Sequence, residues 1–371
     1  MTSSTQASAE SPPAPSGGSG ATVPEAVGPV AWPSSVDGAS HAARLPALDN
    51  LRGIAALAVM LFHYSDSVAA AGTTPFGAPV PWGRYGVQLF FILSGYVILL
   101  TIRRARSAKD FVISRFARLY PAFWTGCVLT YSATLLFRPP GLPPGEALLN
   151  LPMFDIPHVR LIEGPYWTLR QELWFYVAMA GILALRRADM ALRVVACIVV
   201  TSVCDLHFTR WFSLFLIGMV LFDSHGGFRR RHAVLLALCA IDILRRSLLK
   251  SNPDPMVAGW RYPMVVLVCT LMVAAATRVP WLSSRVLGFL GTISYPLYLL
   301  HHTIGQIIID RAARAGLGGN SCVAVAVVCA IALASLVTYL VERPALRAIK
   351  KRLVARGPGG VQGGPAAPGR A

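Results

Sequence analysis

Ten apolar segments separated by short, arginine-bearing loops constrain this chain more than any other feature. Their approximate spans are 47 to 66, 85 to 102, 119 to 137, 166 to 185, 190 to 205, 208 to 224, 232 to 249, 259 to 279, 286 to 309 and 320 to 342. A helix needs about 20 apolar residues to cross about 30 Å of hydrocarbon, and these segments reach or approach that length. Backbone groups in lipid must find their partners within the segment, so the fold expected is an all-α integral membrane protein, a bundle of about ten transmembrane helices. Composition agrees: 54% of the 371 residues are hydrophobic and 14% are charged, more apolar surface than a soluble domain of this size can bury. The fifth, sixth and seventh segments are the weakest, being short or carrying Asp205, Asp223 and Asp242.

The flanks differ in kind. Residues 1–44 are rich in Ser, Ala, Pro and Gly without apolar periodicity, and read as a disordered tail with no signal-peptide pattern. Residues 45–345 form the membrane domain, and 346–371 form a basic, then Gly/Pro-rich tail. The net charge of +17 resembles a nucleic-acid footprint, but 30 of the 34 basic residues are Arg and most lie in the short loops. Counting alternate loops puts 22 Lys and Arg on one side and ten on the other, with Arg52 and Arg170 inside segments. The positive-inside rule then makes both termini cytoplasmic in a multi-pass plasma-membrane protein, and no nucleic-acid partner is expected. The loop with Arg245, Arg246 and Lys250 is the outer loop that opposes the rule. Seven isolated cysteines without a CxxC pair are expected to pack rather than to bridge or bind metal, and no metal-ligand spacing occurs.

Polar residues inside such segments are costly, which makes them functional candidates. In LDNLRGIAALAVMLFHY, residues 48–64, Arg52 and His63 are eleven residues apart, so they lie roughly 20° apart on one helical face and about 16 Å apart in height. With the first helix running outward, Arg52 is at the cytoplasmic end and His63 in the outer half. The inward-running fourth segment brings Glu172 to the outer half, and the ninth brings His301 there. A carboxylate beside an imidazole orients a general base, so His63, Glu172 and His301 are candidates for one site. Taken singly, each is equally readable as a satisfied packing residue.

Arg115 and Arg118, three residues apart just before Leu119, Tyr120 and Pro121, are expected to present one forked cationic surface suited to phosphates. Arg103, Arg104, Arg106 and Lys109 read as headgroup anchors, the alternative for the arginine pair as well. Asp242 has no evident partner, and Glu342, like Asp223 near a cytoplasmic helix end, reads as an end-of-span or ion-pair residue, with Arg343 and Pro344 ending the tenth span. Ser94 and Gly95 read as close helix packing rather than a nucleophile, since no GxSxG elbow surrounds them. Ser94 and Tyr298 complete the candidate cavity.

Five blocks occur in order: LDNLRGIAALAVMLFH, GVQLFFILSGYVI, SRFARLYPAFW, YWTLRQELWFYV, and SYPLYLLHH before a last helix ending in ERP. Over residues 45 to 345 the chain resembles the membrane-bound acyltransferase 3 family, which O-acylates carbohydrates and some glycosylated natural products. The resemblance implies ten transmembrane helices, a standalone form, an acyl-CoA (commonly acetyl-CoA) co-substrate with no bound cofactor, and a carbohydrate or glycosylated acceptor. It implies a catalytic role for His63 with Arg52 as its pair, donor binding by Arg115 and Arg118, and a motif acid at Glu172. Two positions depart from the family pattern: Asn50 stands where Gly is usual, and a second histidine, His302, follows His301 where an aromatic is common. By physics alone the intramembrane charges also fit a secondary transporter or exporter of acylated glycans, although paired halves with broken helices are not evident.

Overall fold

The first helix, α1, spans Pro46–Ala70 and is the axis around which the others gather. The computed structural model describes residues 46–70, 80–105, 107–184, 211–248, 259–278 and 284–355. Among these the regular structure is helical, without strands. After α1 come α2 (Gly86–Arg104), α3 (Ala108–Phe137), α4 (Trp167–Ala184), α5 (Phe212–Asp223), α6 (Arg230–Leu248), α7 (Arg261–Ala276), α8 (Arg285–Leu300), α9 (His302–Arg314), α10 (Gly319–Val337) and α11 (Arg343–Ala355). The fifth expected span, the N-terminal tail and the end of the C-terminal tail lie outside the described residues.

Lipid supplies no hydrophobic drive between helices, so close association depends on small residues that let backbones approach. α1 crosses α8 in this way. A Cβ on Gly291 would sit 1.9 Å from the Asp49 carbonyl, and one on Gly53 would sit 2.5 Å from the Leu287 carbonyl. Ala56, Ala326, Ala330 and Ala334 continue the seam among α1, α8 and α10. On the other side α2 packs on α5, with Gly95 against the Phe215 backbone, the packing role expected of it. Large apolar side chains such as Val128, Leu136, Leu271, Val328 and Leu340 point outward.

Two helical stretches are long and apolar enough to cross a membrane, Pro81–Arg104 and Gly319–Ile349, while Phe212–Gly226, Arg261–Ala276 and Arg285–Leu300 are shorter apolar helices. Three boundaries differ from expectation. α3 begins eleven residues early, at Ala108, because Ser107 in extended conformation accepts the Asp110 N–H at 3.1 Å and caps the helix. The tenth span does not stop at Arg343–Pro344, since a π turn, Thr338–Glu342, carries it into α11. Proline is tolerated here because it opens the first turn of the new helix, where its missing N–H has no helical partner to lose. The ninth span is two helices, α8 and α9, broken at His301. Asp242, expected to be alone, accepts from Ser213 Oγ at 2.6 Å and from Arg246 Nε at 3.0 Å, joining α5 to α6.

Candidate functional site

The polar residues expected to share one site fall into two clusters along α1. Arg52 belongs to the first. It lines a cavity of about 40 Å³ together with Ser94, Glu172, Tyr295 and Tyr298. Glu172 accepts the Tyr176 hydroxyl, one turn along α4. The Tyr176 ring in turn lies 5.6 Å beneath the Arg115 guanidinium, which donates to Thr101 Oγ1 at 2.8 Å. Arg118 sits 5.6 Å over the Tyr295 ring and pairs with Glu342 on the π turn. The two arginines therefore rest on separate aromatic faces rather than forming one open fork, and Arg118 carries its own counter-ion. The pairing is the ion-pair reading of Glu342, with Arg118 as its partner.

The second cluster surrounds His63. Its ring is partly exposed and stands 4.5 Å from the His302 ring and 5.3 Å from the His301 ring, centroid to centroid. No hydrogen bond engages the His63 ring among the described residues, whereas its neighbours are held. His301 Nδ1 donates to the Tyr298 carbonyl at 2.9 Å, because a carbonyl can only accept. The neutral ring thus keeps its lone pair on Nε2, a buried atom without a partner among the described residues. Gln306 uses its amide oxygen to accept from Arg138 at 3.1 Å, which leaves its NH₂ to donate to His302 Nε2 at 3.2 Å. The His302 proton is accordingly on Nδ1, 3.4 Å from Glu163 Oε1. Both imidazoles, not His301 alone, face His63.

Glu172 is not joined to the histidines; the carboxylate beside them is Glu163, fully buried just before α4. Sequence reasoning passed over it because it lies outside every apolar segment, and only residues inside segments were ordered by depth. The one available signal was the string EGPYW, an acid set directly before a proline-led helix start. Arg170, also within α4, is pinned by Asp155 at 3.0 Å and lines neither cluster. Tyr298 connects the two: its ring faces the cavity 5.8 Å from Phe90, its hydroxyl meets Thr168 Oγ1 at 2.8 Å, and its carbonyl holds His301. The site is built from α1, α4, the α8–α9 junction and the turn before α4. Among the described residues no three potential ligands are placed to hold a metal ion.

A family model described as an acyltransferase domain matches residues 45–340, most of the chain. The chain belongs to this acyltransferase family. It is 24% identical over 335 residues to the exopolysaccharide production protein ExoZ of Rhizobium meliloti, covering 80% of this chain and 98% of that protein. It is 31% identical to the acyltransferase MdmB of Streptomyces mycarofaciens over 146 residues, covering 36% of this chain and 38% of the relative. Against the peptidoglycan O-acetyltransferase OatA of Listeria monocytogenes it is 35% identical over 113 residues, 29% of this chain and 15% of that protein. No solved structure matches.

Proposed function

We propose that this acyltransferase is a multi-pass plasma-membrane enzyme that moves a small acyl group, acetyl first, from acyl-CoA to a hydroxyl of a carbohydrate or glycosylated acceptor. Both termini are on the cytoplasmic side in this reading, with the Arg52 end of α1 toward the cytoplasm. The observation that carries the chemistry is His63, a partly exposed imidazole with no hydrogen-bond partner for its ring among the described residues, set against two histidines that are themselves hydrogen-bonded, His301 through Nδ1 and His302 through Nε2. A base must be accessible and unengaged to take a proton.

The anionic nucleotide of the donor docks at Arg115 and Arg118, and Arg52 draws the donor into the cavity. Glu172 and Tyr176 shape the entrance rather than the base. The cavity at Arg52 passes the donor's arm, and the thioester lies beyond it at the His63 end of α1. His63 removes the proton from the acceptor hydroxyl, the oxygen attacks the thioester carbonyl, and the C–S bond breaks. The CoA thiolate then recovers the proton from the imidazolium, so the enzyme is returned unchanged. The outward apolar side chains and the family's carbohydrate-directed relatives support the membrane setting and the acceptor class.

The deciding experiment measures acyl-CoA turnover by purified protein with a glycan acceptor, wild type against His63→Ala at equal protein level. Turnover that depends on acceptor and on His63 supports the reading. Absence of turnover in the wild type, or full turnover by the variant, overturns it. The first of those outcomes is the one that an exporter of acylated glycans would give.

A further inference from the structure

α8 and α9 are collinear in sequence yet broken at His301, and the break is not made by proline alone. Pro296 lies a full turn earlier. In an unbroken helix the N–H of Thr303 would donate to the carbonyl of Leu299, and that of His302 to the carbonyl of Tyr298. Here both carbonyls are taken by side chains. The Leu299 carbonyl accepts the Tyr166 hydroxyl at 3.1 Å, and the Tyr298 carbonyl accepts His301 Nδ1–H at 2.9 Å. The displaced Thr303 N–H donates instead to Glu163 Oε1 at 2.7 Å. The ladder resumes with Gly305 N–H to the His301 carbonyl at 3.0 Å.

One short turn, residues 163–166, therefore supplies both the acceptor and the donor that substitute for a missing rung. The same Glu163 oxygen faces His302 Nδ1 at 3.4 Å, and Gly164 lies against that ring, its Cβ position 3.4 Å from His302 Cε1. Such a buried carboxylate is costly unless its bonds are made, yet Glu163 Oε2 has no partner among the described residues. A residue that only capped α9 would need neither the charge nor the contact with an imidazole. Gly305 completes the arrangement: a Cβ there would fall 2.3 Å from the Tyr64 ring, so α9 docks on α1 next to His63 only because position 305 carries no side chain.

We infer that Glu163, with Tyr166, is a positioning element that splits α8 from α9 and holds His301 and His302 toward His63, acting on the reaction through His302. The inference rests on the proposed acyl transfer at His63. Glu163 touches no reacting atom; Gln306 leaves the His302 proton on Nδ1, and the Glu163 carboxylate, 3.4 Å from that nitrogen without a formed hydrogen bond, acts on the charge and position of the ring. The donor and the acceptor bind elsewhere, so the effect of losing it falls on kcat.

The test compares Glu163→Gln, His302→Asn and the double variant in purified protein, with His63→Ala alongside. Glutamine keeps an oxygen for the Thr303 N–H, so a mere helix cap is preserved and only the charge is removed. The expected result is a loss of about tenfold or more in kcat for Glu163→Gln, with KM for acyl-CoA and for acceptor unchanged. Adding it to His302→Asn should cause no further loss, the non-additivity of two residues that act as one unit. Full activity of Glu163→Gln with His63→Ala inactive overturns this inference alone, and so does a full additional loss in the double variant. Full activity of His63→Ala overturns the base and this inference together. If Glu163→Gln lowers the protein level, Tyr166→Phe, which removes only the hydroxyl from Leu299, replaces it. Reduced kcat at normal level then supports the inference, and unchanged kcat overturns it.

Discussion

The two ends of α1 solve opposite problems with similar residues. At the Arg52 end each of three charged groups has a partner, Arg118 with Glu342, Arg115 with Thr101 and an aromatic face, Glu172 with Tyr176, although Arg115 Nε and Glu342 Oε2 have none among the described residues. At the His63 end the leftover atoms belong to the imidazoles and their carboxylate: among the described residues His301 Nε2, His302 Nδ1, Glu163 Oε2 and the His63 ring have no hydrogen-bond partner. A binding surface for a polyanion can rest in a neutralised state, and in the proposed function the donor's phosphates would replace Glu342 as the partner of Arg118. A site that must accept a proton cannot, since an imidazole already engaged has no lone pair to offer. On the proposed reading the contrast separates docking from chemistry along one helix, about 16 Å of rise from Arg52 to His63.

The comparison can be broken most directly at His63. His63→Ala should lower acyl transfer by at least about a hundredfold at equal protein level, measured as CoA release with acceptor present. A comparable loss from Glu172→Gln, with KM unchanged, would instead put the chemistry at the Arg52 end. Next in size, Arg115→Ala with Arg118→Ala should raise KM for acyl-CoA by about tenfold, the loss of one or two charge-assisted hydrogen bonds, with acceptor KM unaffected. A change in acceptor KM alone would undo the donor assignment.

Glu342→Gln tests whether the neutralised state restrains docking. Freed from its counter-ion, Arg118 should bind donor more tightly, with KM falling a few-fold at constant kcat, and a rise would mean that Glu342 aims the arginine rather than competing for it. Gly305→Ala should cost about 1 to 3 kcal/mol through overpacking against Tyr64, read as a lowered melting temperature of the purified protein.

The smallest effect lies outside both ends. In the loop before α4, hydrogen bonds from the Arg160 side chain and backbone N–H hold the Glu146 carboxyl below its ordinary range. A depressed pKa means that the pairing contributes fully above the unfolded value and is lost as pH falls through the folded one. Amide exchange in residues 144–162 should therefore quicken below the usual carboxylate range, while exchange in α1 stays constant. Equal acceleration in both would tie the loop to the site.

Much of the site was legible because the cost of placing charge in lipid makes each intramembrane polar residue conspicuous. Arg52, His63, Glu172 and His301 stand out on that ground and Arg115 and Arg118 by their spacing ahead of a helix entry, and the structure places each of them in one or other of the clusters. Depth along a helix is not enough to say which of them meet. Glu172 and His63 were expected together from rise per residue, but α4 turns Glu172 toward Arg52. Glu163 was hidden for the converse reason, lying at a boundary where a helix was expected to begin, while Glu342 was legible as an ion-pair residue but not its partner, Arg118.

The sequence by itself determined the helical class, the one-faced spacing of Arg52 and His63, and the five ordered blocks, because helical period and the intolerance of lipid for unpaired backbone act locally. Only the tertiary structure decided the pairings. Whether Arg118 meets Glu342, and whether the ninth segment breaks at His301, depends on side chains about 130 to more than 220 residues away in the chain: Tyr166 reaches Leu299 across a separation of 133, and Glu163 reaches Thr303 across 140. A local propensity cannot encode a hydrogen bond whose other half arrives from a distant helix, and that distant half is what turns two histidines toward a third.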